Sequence, residues 1–166
     1  MTKAEELKTL MMAKRPWSLA VAESVTAGNL QARIAGVSGA SSYFLGGITA
    51  YSLEQKVKQL HVDRVGAEAV NCVSADVAEQ MARGVCRLFG ADVGAATTGY
   101  AEPAPAWNVR VPFAWWAVAV RKANAVEFAM WSGRVEIADA GRVEVQQRVA
   151  DAVVGEIVRA VAEARK

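Results

Sequence analysis

Short apolar segments of strand length alternate along this chain with longer segments of helical periodicity, and this alternation limits the possible folds most. Ser18–Ala22 and Val93–Thr97 are apolar runs suited to buried strands. Between them, Ser74–Leu88 repeats apolar residues at helical spacing behind a serine that can cap the helix. Because most connections are too long for hairpins, the pattern predicts an α/β fold, a layered αβα sandwich with a mixed, mostly parallel sheet.

The other segments fit the same layered arrangement. Further helices are predicted over Thr2–Ala13, Asn29–Ala35, Leu53–Leu60 and from Glu136 or Gly141 onward. Further strands are predicted over Tyr43–Tyr51, Phe113–Arg121 and Val126–Trp131. Only a short turn at Lys122–Asn124 separates the last two strands, so they are expected to pair antiparallel. Because no linker divides the chain, residues 1–166 are predicted to form one domain.

Charge and composition argue against several classes of function. The formal net charge is +2 with acids and bases intermixed, whereas nucleic-acid binding usually shows a concentrated basic patch. No apolar run approaches the ~20 residues that span a bilayer, and Met1–Lys14 lacks the continuous apolar core of a signal peptide. Cys72, Cys86 and the single histidine, His61, are too few for a metal site. We therefore predict a cytoplasmic protein that acts on a small molecule, without nucleic acid, membrane or metal.

Polar turns follow three of the predicted strands, and ligands of open α/β sheets bind at the carboxyl ends of strands. The first turn, Ala22–Gly28, places Ser24 before a helix whose exposed N–H groups would stabilise an oxyanion. An ordinary helix cap is the alternative interpretation. The second turn joins Tyr51 to Lys56, and a Tyr–Lys pair can supply a general base without histidine. The alternative for this pair is a partly buried tyrosine beside a solvated lysine.

The third turn, Ala96–Pro103, again comes after a buried strand. All three turns are expected at the same edge of the sheet, and their convergence supports a functional site more than any one of them does.

The order of these motifs resembles the nicotinamide-nucleotide amidase family, whose domain also forms the C-terminal half of CinA proteins. The likeness runs clearly from about Trp17 to Gly99, and it is carried by Ala22–Gly28, Gly39–Ser41, Phe44–Ser52, Lys56, Val73–Ser74, Met81–Gly84 and Thr98–Gly99. The resemblance implies that Ser24 is a nucleophile and that Tyr51 and Lys56 complete the catalytic group. It also implies a substrate site, which we assign to Thr26, Gly28, Ser41, Thr98 and Gly99.

The reaction implied by the resemblance is hydrolysis of the carboxamide of nicotinamide mononucleotide to nicotinic acid mononucleotide and ammonia, without a cofactor or metal. A pyridine nucleotide is accordingly the expected substrate. A homo-oligomer is also expected, since an exposed aromatic residue on the strand at Val126–Trp131 would favour an interface.

Three positions depart from the family pattern. Val25 replaces a cysteine and Ala27 a glycine, and the methyl group of Ala27 would hinder close approach of a phosphate to the backbone. Glu102 also replaces a glycine, and at ~4 Å its carboxylate would repel each unit charge of a phosphate by roughly 4 kcal/mol. Unless an arginine such as Arg110 or Arg134 neutralises Glu102, hydrolysis of the mononucleotide should be weak. The alternative function is therefore a paralogue of little or no activity that binds a nucleotide or a protein partner.

Overall fold

The structure, a computed structural model, describes residues 1–166 and contains six α-helices and five strands. In chain order they are α1 (Lys3–Met11), β1 (Leu19–Glu23), α2 (Asn29–Ala35), β2 (Phe44–Thr49), α3 (Leu53–Leu60), α4 (Arg64–Ala69), α5 (Ala75–Phe89), β3 (Val93–Tyr100), β4 (Phe113–Arg121), β5 (Phe128–Glu136) and α6 (Arg142–Ala164). No helix is both long enough and apolar enough to cross a membrane.

The strands form one mixed sheet in the order β2-β1-β3-β4-β5. β1 pairs in parallel with both β2 and β3, while β4 pairs antiparallel with β3 and with β5. Four strands therefore run in one direction and only β4 runs in the other. The predicted α/β class and the mixed sheet with an antiparallel final pair are confirmed.

Helices cover both faces of the sheet, so its central strands are buried on both sides. Leu19 and Val21 point into a core formed with α1, α2 and α6. Ala20 and Ala22 point into a second core formed with α3, α4 and α5. Small residues let α5 lie close to the sheet on this side: a Cβ added at Gly94 would lie 2.2 Å from the carbonyl oxygen of Ala82.

The structure differs from the predicted elements at three places. β3 continues to Tyr100, so Thr98 and Gly99, predicted to lie in the turn after the strand, are the two residues before its last one. β5 begins at Phe128 and continues to Glu136, whereas Val126, placed in this strand by its apolar character, lies in the hairpin turn and is 77% exposed. The turn extends to residue 127 because the Asn124 side-chain oxygen accepts hydrogen bonds from the N–H groups of Val126 and Glu127. Helix α4 has no counterpart among the predicted elements. Trp131 packs against the α6 side of the core, and the homo-oligomer stays a prediction.

Candidate active site

A cleft of about 440 Å³ opens where β1 and β3 end and where the chain passes from β2 into α3. The three turns predicted to carry function meet there. Among the predicted site residues, those that line the cleft are Ser24, Tyr51, Lys56, Thr98 and Gly99. The parallel pairing of β1 with both neighbours brings their carboxyl ends to one edge, so residues 24, 51 and 98 lie close although they are distant in sequence.

Lys56 is buried and bonded directly to Ser24. Its side chain projects from the first turn of α3 under the cleft, and the residue is only 1% exposed. Nζ lies 3.0 Å from Ser24 Oγ, 2.9 Å from the Ala50 carbonyl oxygen and 3.0 Å from the Tyr51 carbonyl oxygen. The solvated-lysine alternative therefore does not describe this residue.

Burial shifts Lys56 toward its neutral form, while the three oxygens around Nζ would equally accept from an ammonium. Burial lowers the pKa of the Lys56 amine, and the nearby Cys72 thiol acts in the opposite direction. No carboxylate bonds to Nζ. In the neutral amine, two N–H groups would donate to the Ala50 and Tyr51 carbonyls, and the lone pair would then face the hydroxyl of Ser24. This is the arrangement that a general base for a serine nucleophile requires.

The turn after Ser24 is held by a buried carboxylate that sequence reasoning did not single out. Glu23 is fully buried, and its two oxygens accept hydrogen bonds from the N–H groups of Gly28, Leu30 and Gln31 at 2.8–3.0 Å. The start of α2 is thus already occupied by an anion from the chain itself. The N–H groups at the start of α2 were predicted to be exposed and to hold an oxyanion. Those of Gly28, Leu30 and Gln31 are instead bonded to Glu23.

Two other amides remain free beside the serine. The N–H of Ser24 donates to Thr97 and that of Ala27 to Ser24, whereas the N–H groups of Val25 and Thr26 have no acceptor within the protein. Val25 lines the cleft. The Val25 amide is therefore the donor of this turn that remains available to a ligand in the cleft, whereas Thr26 is fully buried and does not line it.

The substrate-binding assignment divides into two groups. Thr98 and Gly99 line the cleft, and Thr98 Oγ1 donates to the Cys72 carbonyl at 2.6 Å, which ties β3 to the segment before α5. Thr26, Gly28 and Ser41 do not line it. The Thr26 hydroxyl is buried against that of Thr97, the amide of Gly28 is bonded to Glu23, and Ser41 lies exposed on a short 3₁₀ turn.

Ala27 also lies outside the cleft. Its φ is +48°, a left-handed backbone conformation that suits the glycine of the family pattern better than alanine. Its methyl group does not face the cleft, so the expected hindrance to a phosphate does not arise there.

The rim of the cleft, which we define as Tyr51, Glu102 and Arg142, is exposed and joined by one arginine. Arg142, the first residue of α6, donates from one guanidinium nitrogen to Glu102 at 2.8 Å and from the other to Tyr51 Oη at 2.7 Å. The Tyr51 hydroxyl makes no hydrogen bond to Ser24 or Lys56; its main chain holds Lys56 instead.

The arginine that pairs with Glu102 is therefore Arg142, and the expectation of Arg110 or Arg134 is wrong. Those two side chains line a separate cavity. Arg142 is 91 residues from Tyr51 in the sequence, and no local sequence pattern predicts that the two side chains meet.

Comparison with known proteins agrees with this fold. The family model described as the CinA C-terminal domain matches residues 1–161. A CinA-like protein of Chlorobium limicola is 48% identical over 102 residues, 61% of this chain and 24% of that protein. A CinA-like protein of Chlorobaculum tepidum is 43% identical over 99 residues, 60% of this chain and 23% of that protein. The chain matches about a quarter of the length of these curated relatives.

Solved structures give the same result for the fold. A CinA superfamily protein of Klebsiella pneumoniae superposes with a TM-score of 0.83 at 22% identity, covering 98% of this chain and 99% of that one. A competence/damage-inducible protein of Agrobacterium tumefaciens superposes with a TM-score of 0.77 at 21% identity, covering 96% and 95%.

Proposed function

Since this chain belongs to the family of CinA C-terminal domains, we propose that it is an amidohydrolase that cleaves the carboxamide of a pyridine nucleotide, with nicotinamide mononucleotide as its substrate. The observation that carries the proposal is the buried contact between Lys56 Nζ and Ser24 Oγ at 3.0 Å. Burial of a lysine away from water costs free energy. A buried lysine that contacts a serine in a cleft is therefore a candidate for a catalytic role.

In the first step, the neutral amine of Lys56 accepts the proton of the Ser24 hydroxyl while Oγ attacks the carboxamide carbon. Two main-chain carbonyls fix the orientation of the amine and leave its lone pair for this proton. The product of attack is a tetrahedral adduct whose former carbonyl oxygen carries the negative charge.

The free amide of Val25 is the donor we assign to that oxygen, because it adjoins the nucleophile, belongs to a residue that lines the cleft and has no other acceptor. The Lys56 ammonium then returns its proton to the departing nitrogen, and ammonia leaves an acyl group on Ser24. A water molecule, deprotonated by the same amine, hydrolyses the ester and restores Ser24, so that the amide and water become an acid and ammonia.

The rim supports a substrate that carries a phosphate. The positive charge of Arg142 offsets Glu102, so the repulsion that an unpaired carboxylate would exert on a phosphate is largely cancelled. A phosphate at the rim would compete with Glu102 for the same guanidinium, whose fork geometry suits either anion. In this arrangement the Tyr51 hydroxyl contacts the substrate rather than the base.

Ammonia release from nicotinamide mononucleotide tests the proposal. The unmodified protein should release ammonia, and Ser24→Ala should abolish release while the protein stays folded, because loss of a turn hydroxyl costs at most about 2 kcal/mol. Ser38→Ala, at an exposed serine that has no assigned role in the site, is the matched control and should retain full activity. Full activity in Ser24→Ala would rule out the serine mechanism. No turnover of the mononucleotide or its riboside would favour a binding role or another amide.

A further inference from the structure

A second cavity of about 440 Å³ lies on the far side of the loop that connects β3 to β4. Its walls include Trp107 and Arg110 from the loop, Phe113 from β4, and Arg134 and Glu136 from β5. A cavity of this size is within the range of small-molecule sites. None of these residues takes part in the chemistry proposed for the cleft.

The loop holds Trp107 in an exposed position by its own hydrogen bonds. The main chains of Ala104 and Val109 pair through two bonds of 3.0 and 3.1 Å, and Asn108 takes the left-handed conformation between them. Trp107 is nevertheless 47% exposed. A flat aromatic surface on a loop that is internally bonded is a stacking platform for another planar ring.

Two guanidinium groups line the same cavity as this indole. Arg134 lies over the Phe113 ring at 3.8 Å and is ion-paired with Glu136. Arg110 has no hydrogen bond or ion pair to any residue of the protein. The cavity therefore carries one uncompensated positive charge next to an aromatic platform.

We infer that this cavity is a second binding site, for an aromatic anion of the nucleoside monophosphate class. The base would stack on Trp107, and Arg110 would hold the phosphate with Arg134 beside it. Either an independent nucleotide or the far half of an extended dinucleotide would satisfy this chemistry. The assignment requires no hydrolysis in the cleft.

The second site shares a wall with the cleft. Tyr100, which lines the cleft, pairs with Phe113 across the β3–β4 ladder, and their rings meet edge to face at 5.6 Å. Phe113 in turn lines the second cavity and supports Arg134. One pair of aromatic side chains in contact thus links the linings of the two cavities.

Calorimetric titration with adenosine monophosphate, adenosine and inorganic phosphate tests the site. The monophosphate should bind more tightly than either fragment. Arg110→Gln should weaken binding about tenfold or more, the loss of one charge-assisted hydrogen bond, and Trp107→Leu about fivefold or more. Arg148→Gln, on the exposed face of α6, is the control and should leave affinity unchanged. Absence of binding at millimolar concentration, or equal affinity in Arg110→Gln and the unmodified protein, would overturn the inference.

Competition then distinguishes the two sources of the ligand, using Ser24→Ala so that no substrate is consumed. If the ligand is independent, adenosine monophosphate and nicotinamide mononucleotide should bind together, and Arg110→Gln should weaken only the first. If it is one extended molecule, nicotinamide adenine dinucleotide should displace both and should lose affinity in Arg110→Gln. Competition of the two mononucleotides for a single site, unaffected by Arg110→Gln, would contradict the second site and leave the proposed amidase intact.

Discussion

The floor and the rim of the cleft are built in opposite ways. The floor, Ser24 with Lys56, is buried, and Nζ of the lysine is held between Ser24, just beyond β1, and two carbonyls of the β2–α3 connection. The rim, Tyr51 with Glu102 and Arg142, consists of exposed side chains from three separate segments that meet only through one guanidinium. Tyr51 belongs to both parts. Its carbonyl oxygen bonds to Lys56 in the floor, whereas its hydroxyl lies in the rim, and the residue is 54% exposed.

This difference suggests how a family can keep its chemistry while its ligands change. A substitution in the floor disturbs a buried polar network, where leaving a partner unpaired costs several kcal/mol. A substitution in the rim alters an exposed ion pair, which contributes at most about 1 kcal/mol. Glu102, one of the three departures from the family pattern, lies in the rim, where such a change is tolerated.

The strongest test of the contrast is Lys56→Met. Removing the proposed base should lower kcat for amide hydrolysis by about 10²–10⁴, the usual contribution of general acid–base catalysis, with a smaller change in KM. Lys58→Met, an exposed lysine two residues along the same helix, is the matched control and should leave kcat unchanged. Steady-state kinetics with an unfolding curve for each protein make the measurement. Equal kcat in both variants would assign the base to another group.

The pH dependence of kcat/KM should be set by Lys56 in the floor and not by the residues of the rim. Burial lowers the pKa of Lys56 from its ordinary value of 10.5, and catalysis needs the neutral amine. kcat/KM should therefore rise about tenfold per pH unit below that lowered pKa and level off above it. Between the lowered pKa and 10.5 the unfolded chain binds more protons at Lys56, so this residue makes the free energy of unfolding rise with pH in that window. Burial raises the pKa of Cys72, Cys86 and Tyr43, and these groups contribute a fall with pH in the alkaline range.

The kcat/KM slope should disappear in Lys56→Met, and the part of the stability slope that is due to Lys56 is the difference between the unmodified protein and this variant. Urea unfolding at several pH values measures the second slope independently of any substrate. A kcat/KM profile that is flat with pH in the unmodified protein would mean that Lys56 does not titrate in the step observed.

Substitutions in the rim should have the smallest effects, and on KM rather than kcat. Arg142→Gln should raise KM for the mononucleotide about tenfold, because it removes a cation and leaves the Glu102 carboxylate unpaired. Glu102→Gly should lower the same KM only about two- to fivefold, since the pair it breaks is exposed. The dephosphorylated riboside should respond to neither change, with Arg148→Gln again as the control. A large loss of kcat in Arg142→Gln would place the arginine in the chemical step.

Much of the fold was predictable because its signals are local. A strand buried on both faces reads as a continuous apolar run, as in Leu19–Ala22, and α5 repeats its apolar side chains with helical period behind the Ser74 cap. The start of β5 was predicted too early because the turn from Lys122 is set by side-chain hydrogen bonds of Asn124, which no apolar pattern reveals.

For the candidate site, the sequence by itself determined the residues of the floor, because Ser24 and Lys56 each lie a few positions beyond a strand of recognisable pattern, and strand order brings such positions to one edge. Only the tertiary structure decided where their neighbours point. The carboxylate of Glu23 occupies the amides of α2, Arg142 reaches the rim from the start of α6, and Thr26 turns inward to Thr97. Side-chain direction and long-range partners depend on packing between elements, and neighbouring residues in the sequence do not encode it.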